Sequence, residues 1–202
     1  QSGAQSTTVM DSIRQVIKHA RNDTTVIGGL IALSERIYTS DPDTNMIICK
    51  QAIDLADRAL GKSGTSKQLR STLLRQKATA VNNLAVSHYI FGQLDSALAC
   101  FRRAGSIHES NGYPAGVADA LNNEGLVHEA RGDHALQQAC LFKALAIYRR
   151  ASDDASTAKA LNNIGQYFDG RGMMDSALYY HESSMAVSEA MHDDLGMANS
   201  ML

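Results

Sequence analysis

Three pairs of adjacent asparagines recur at one constant interval: Asn82-Asn83, Asn122-Asn123 and Asn162-Asn163. A carboxamide carries a donor and an acceptor together, so one asparagine can grip a peptide unit whatever its side chain. Neighbouring helices lie about 8–10 Å apart, and an extended chain advances about 3.3 Å per residue. One asparagine per helix pair would therefore hold every third residue of an extended ligand. Asp119, Lys159, Gln166, Glu129 and Asp169 lie near these pairs in sequence. Their mixed charge suits an ordinary protein segment better than a strongly acidic or basic one. The competing roles are amides that bond between adjacent helices and charges that are merely solvated.

Other reactive residues repeat at the same interval and point to packing. His88 and His128 are one such interval apart, and Phe168 fills the third position. A position that accepts phenylalanine is a packing position, and His128 and His134 lack the i, i+4 spacing of a helical zinc pair. No metal and no cofactor are expected. Cys100 and Cys140 repeat likewise, with Tyr180 third. Buried thiols behave as small hydrophobes, and helix spacing usually leaves such pairs beyond disulfide reach. Gly61-Lys62-Ser63 resembles a phosphate loop only in part, because Ala56 stands where the earlier glycine is needed and a helix precedes it. Without a nucleophile–base or paired acid–base set, the chain is not expected to be an enzyme.

These residues must sit on repeated elements. Gly92, Gly132 and Gly172, small Ala104, Ala144 and Ser184, and apolar Ile107, Ile147 and Val187 all keep the interval of the asparagine pairs. Each unit reads as two helices. Ala115 to Arg131 shows helical spacing at Val117, Ala118, Leu121 and Gly125, and Gly132 stops it. Asp133 is the expected N-cap of a second helix reaching about Arg150. Turns between units are expected at Tyr113-Pro114, Asp153-Asp154 and Asp193-Asp194. One helix pair cannot bury its apolar faces alone, but stacked pairs can.

Ahead of the clear repeats, Asp11 to Arg21 predicts a short amphipathic helix with Ile13, Val16, Ile17 and Ala20 on one face. Thr24–Tyr38 and Asp43–Leu60 predict a divergent helix pair, with Pro42 at the start of its second member. Gly28-Gly29 requires either a late helix start or very close packing, and Gly61 to Ser66 reads as a linker. Gly196-Met197-Ala198-Asn199 echoes Gly116-Val117-Ala118-Asp119 two repeats later, so the chain is expected to be an excised piece of a longer protein. The organisation expected is a tail and short helix over 1–23, a divergent helix pair over 24–65, units over 66–112, 113–152 and 153–194, and a truncated start over 195–202.

Composition bounds the function. The 202 residues are 44% hydrophobic and 20% charged, with a net charge of -2, which excludes disordered and low-complexity classes. The charge balance argues against a nucleic-acid partner. No apolar run approaches the roughly 20 residues that span a bilayer.

The small Gly125 or Gly165, the inter-helix glycine, Ala97 or Ala177 and then Ala104 or Ala144 resemble the tetratricopeptide repeat over about residues 24 to 202. The forty-residue spacing and the Asn-Asn pair resemble its longer variant. Glu124 and Gln137 depart from that pattern and loosen the expected packing of the middle unit. The resemblance implies an all-α, right-handed α-solenoid of stacked antiparallel helix pairs. It also implies a concave groove lined by the first helix of each unit, with Asn83, Asn123 and Asn163 on or near it. A protein or extended peptide is the implied partner, and a homodimer stays open.

A second resemblance lies in Asp11-Ser12-Ile13, Asn22-Asp23-Thr24, Tyr38 to Thr44 and Ala52 to Ala56. These segments look like the extracytoplasmic start of bacterial sensor proteins, whose output is a histidine kinase, a transcriptional regulator or a nucleotide cyclase. That implies an extracytoplasmic region of a membrane-anchored protein, without membrane contact by this segment. The alternatives are a cytosolic regulator responsive to peptide pheromones and an assembly scaffold without a signalling role.

Overall fold

The structure, a computed structural model, describes Asp11, Gln15 and residues 22–200, with side chains up to residue 191 in the last helix. The amphipathic helix expected over Asp11 to Arg21 falls, apart from Asp11 and Gln15, outside the described residues. So does any reading of Met201 and Leu202. The described residues form eight α-helices and no strand.

The chain divides into two compact units at Tyr113 and Pro114. In the first, α1 is Asp23–Ile37, α2 Pro42–Leu60, α3 Lys67–Ile90 and α4 Leu94–Ser110. Each helix packs on the next, and α1 also packs on α3. In the second, α5 is Pro114–Ala130, α6 His134–Arg150, α7 Asp154–Asp169 and α8 Met174–Ser200, again packed in succession. Each unit has its own core. Ile27, Leu30, Ile48, Ala52, Leu73 and Val81 centre the first, and Leu141, Ala144, Leu145, Leu161, Ile164 and Phe168 the second.

Local chemistry sets the helix ends. Asn22, Asp41, Ser66 and Asp153 each accept a hydrogen bond from a first-turn N–H, and Pro42 opens α2 where its missing donor costs nothing. Asp133 holds the N-cap position, but its side chain makes no cap bond.

The helix C-termini repeat at half the sequence interval. Gly92, Gly112, Gly132, Ser152 and Gly172 are evenly spaced along the chain, and all have positive φ. At each, the next residue's N–H returns to a carbonyl five positions back: Gln93 to His88, Tyr113 to His108, Asp133 to His128, Asp153 to Tyr148 and Met173 to Phe168. These are glycine-type helix stops, with serine accepting the strained conformation once.

The turn expected at Asp193-Asp194 does not form, and α8 runs through it to Ser200. His192 stands where the earlier units place Gly112 and Ser152, and a bulky side chain there disfavours the left-handed stop more than glycine or serine does.

Close approach explains the small residues. Ala104 and Ala144 are buried. Ser184 stays partly accessible and donates its hydroxyl to the Ala158 carbonyl at 2.7 Å. Gly28 resolves its two options by close packing, since an added Cβ would lie 3.3 Å from Gln76 Nε2. That amide donates to the Thr24 carbonyl at 2.8 Å, joining α3 to the start of α1.

Candidate functional site

The six asparagines do not share one environment. Asn83, expected on an exposed groove, is 9% exposed, and its Nδ2 donates to Ser34 Oγ at 2.6 Å. The backbone carbonyl of Asn83 accepts from Asn45 Nδ2 at 3.1 Å, and the same nitrogen donates to Ser87 Oγ at 2.7 Å. The Cys49 thiol adds a weak bond to Asn45 Oδ1. This corrects the exposed reading of Asn83. The amide ties α3 to α1, and Asn45 ties α2 to α3, because α1 and α2 both cover this face of α3. Burial pushes the Cys49 thiol up to about 11, against a smaller opposing effect from its Ser34 bond. Asn82, beside it, is half-buried and already engaged.

In the second unit, Asn122 and Asn123 on α5 are half-buried, and Asn123 is engaged. Asp119 is exposed and accepts the Tyr148 hydroxyl at 2.5 Å. Burial raises the Tyr148 phenol well above its usual range, and the Asp119 bond and charge reinforce the shift. This bond commits Asp119 to α6.

On α7 the candidates come together. Lys159, Asn162 and Asn163, with Ala155 and Ala158, form one wall of a cleft of about 390 Å³, and Ser184, Ser188 and Met191 of α8 form the other. Lys159 is exposed, and both asparagines are half-buried. Gln166 is exposed but is not among the cleft-lining residues.

The cleft has a neighbour that the sequence reasoning missed. His181 on α8 places Nδ1 3.0 Å from Asn162 Oδ1 and Nε2 2.9 Å from Asp169 Oδ2. Both nitrogens face acceptors, which suits the protonated ring, and turning the Asn162 amide would suit the neutral one. The ring lies over Gly165, where a Cβ would come within 2.6 Å of it. The readable signal was a histidine where earlier repeats place Phe101 and Leu141.

The positions judged as packing are buried at His128 and Phe168. Half-exposed His88 instead bonds Gln93 Oε1 through Nδ1 at 2.6 Å. All three cysteines are free. Glu124, His128 and Cys140, weighed separately in sequence, meet in space, each with a donor atom within 4.8 Å of the others. The i, i+4 spacing of Glu124 and His128 was readable, whereas the approach of Cys140 depends on how α5 meets α6. No helix of the described residues is long and apolar enough to cross a membrane.

The elements define an all-α helical-repeat protein whose repeating unit is a helix pair, in the solenoid fold class. One family model for the tetratricopeptide repeat matches residues 116–190 and another matches 78–110, together just over half of the chain. The chain belongs to the tetratricopeptide-repeat family, whose members are protein-interaction scaffolds.

Solved structures share the fold. Aspartyl phosphate phosphatase F from Bacillus subtilis superposes with a TM-score of 0.71 at 19% identity, over 86% of this chain and 43% of its own. This chain thus spans less than half of that protein. BtubC from P. vanneervenii gives 0.71 at 18% identity, covering 94% of this chain and 74% of its own. A Podosopora anserina protein with nearly identical TPR-like repeats of the kinesin light chain kind gives 0.58 at 13% identity, over 95% and 89%. No curated protein matches the sequence.

Proposed function

We propose that this chain recognises an extended protein segment and serves as the sensory region of a bacterial signal-transduction protein, with its output elsewhere in a longer polypeptide. The observation that carries the recognition reading is the cleft between α7 and α8, with Lys159, Asn162 and Asn163 on one wall. The Asn163 carboxamide offers a donor and an acceptor to a peptide backbone, beside an Asn162 whose oxygen already meets His181, and a lysine ammonium complements a ligand carbonyl or carboxylate. The apolar lining contributed by Ala155, Ala158 and Met191 suits a small aliphatic side chain.

The sensory reading and its extracytoplasmic placement draw on the resemblance of the opening residues. The repeat scaffold is compatible with both. A cytosolic peptide-responsive regulator is the second reading, and the same repeat fold is compatible with it.

Selection from a random nonapeptide library displayed on phage tests recognition directly. Enriched peptides are expected to bind the chain by fluorescence polarisation. Asn163→Ala should weaken them by roughly 2- to 12-fold, the worth of one neutral hydrogen bond. Failure to enrich any peptide, or binding indifferent to Asn163→Ala and Lys159→Ala, overturns this site. The gene's flanking sequence separates the two settings, since a leader before this segment and an apolar helix of about 20 residues after it mark a membrane-anchored sensor.

A further inference from the structure

Glu124 and His128 lie one turn apart on α5, and Cys140 approaches them from α6, so that a carboxylate oxygen, an imidazole nitrogen and a thiol sulfur lie within 4.8 Å of one another. The third repeat shows how apolar packing fills the equivalent space. There Ile164, Phe168 and Tyr180 replace the three donors, and the two rings stack with centroids 5.4 Å apart. The middle repeat supplies three different ligand types instead.

His128 is only 3% exposed, and its Nδ1 has no hydrogen-bond partner among the described residues. A buried ring nitrogen without a partner is unfavourable unless something else engages the imidazole. Asp133 Oδ2 lies 3.6 Å from Nδ1, adding a second carboxylate beside the ring and favouring a cation there.

We propose that Glu124, His128 and Cys140 bind a zinc ion. Thiolate and imidazole together favour zinc over magnesium or calcium, which take oxygen ligands. Tetrahedral zinc with bonds of about 2.0–2.3 Å sets its donors about 3.3–3.6 Å apart, so small rotamer changes close the cluster. Water takes the fourth position. Cys140 ligates as thiolate and releases its thiol proton to solvent, which balances the step. The ion then pins α5 to α6 within the repeat that Glu124 and Gln137 make least regular.

Cobalt titration of the reduced chain is the test, because a thiolate on Co²⁺ gives a charge-transfer band and a tetrahedral site gives intense visible bands. One equivalent of Co²⁺ is expected to develop both, and Zn²⁺ to abolish both by displacement. Cys140→Ser should remove the charge-transfer band, and a Cys49→Ala/Cys100→Ala variant should keep it. His128→Phe and Glu124→Ile, which install the third repeat's residues, should weaken Zn²⁺ binding by roughly 10-fold or more. The absence of a charge-transfer band in the unaltered chain overturns the proposal whatever the variants do. A band that survives Cys140→Ser also overturns it, by assigning ligation to another thiol.

Discussion

In the first unit the Asn83 carboxamide is enclosed by α1 and α2, whereas Asn163, two repeats later, opens on a cleft between α7 and α8. The two residues hold the same position in the sequence period and the same place on their helices. What differs is the neighbourhood. Ser34 and Asn45 reach Asn83 from the two helices packed on α3, and together they form a buried polar network. The repeat therefore assigns a residue to a face, and the adjoining helices decide whether that face is core or binding surface.

Substitution of these two asparagines tests the contrast most strongly. Asn83→Ala removes the bond to Ser34 and leaves a cavity among buried polar groups, and should cost about 2–3 kcal/mol of stability, read as a lower denaturation midpoint. Asn163→Ala should change stability by under about 0.5 kcal/mol. Equal losses would erase the distinction between the two regions.

The network also carries a pH signature. The Cys49 thiol titrates at about 11 in the folded chain, above its unfolded value near 9, so the folded state holds the proton more tightly. Its contribution is fully present below the unfolded value and is lost as pH rises through the folded one. A difference of this size is worth about 3 kcal/mol in full, of which about 2 kcal/mol is lost by pH 11, where half of the folded thiols still hold their proton. Urea unfolding at pH 8 and pH 11 should show that fall, and Cys49→Ala should flatten it. An identical alkaline fall in the variant would remove Cys49 as the cause.

Two glycines within the second unit sharpen the same lesson. A Cβ at Gly125 would meet Leu141 at an ordinary 3.5 Å, while one at Gly165 would meet the His181 ring at 2.6 Å. Gly125→Ala should stabilise by roughly 0.5–1 kcal/mol through helix propensity. Gly165→Ala should forfeit that gain, because His181 must leave Asn162 and Asp169. Thermal melts giving both variants the same midpoint would break the assignment.

The smallest expected effect is at Ser152, which has φ 53° where Gly112 has φ 65°. Ser152→Gly should stabilise by about 0.5 kcal/mol, since glycine adopts this conformation without a Cβ clash. An unchanged or lowered midpoint would show that the serine side chain compensates for the strain.

Much of the fold was legible because it is local or periodic. Asn-Asn, Gly and Ala recurring at one interval mark the helix pairs, and Pro42 and Gly132 mark where helices start and stop. The rhythm of helix stops at half that interval was harder to read, since Ser152 interrupts the glycines and only its φ reveals the equivalence. The candidate site was legible only on α7. Lys159, Asn162 and Asn163 were named from sequence, but the opposite wall comes from Ser184, Ser188 and Met191 on the next helix.

Written in the chain itself are the all-α class, the repeat length and the helix ends, because each rests on local capping signals or on a periodicity visible along the chain. The environment of each repeated residue came only with the packed helices. Asn83 in a closed network, His181 over Gly165, and Cys140 beside Glu124 and His128 all depend on contacts between different helices. Sequence periodicity names the face on which a side chain lies, but not the atoms that cover it.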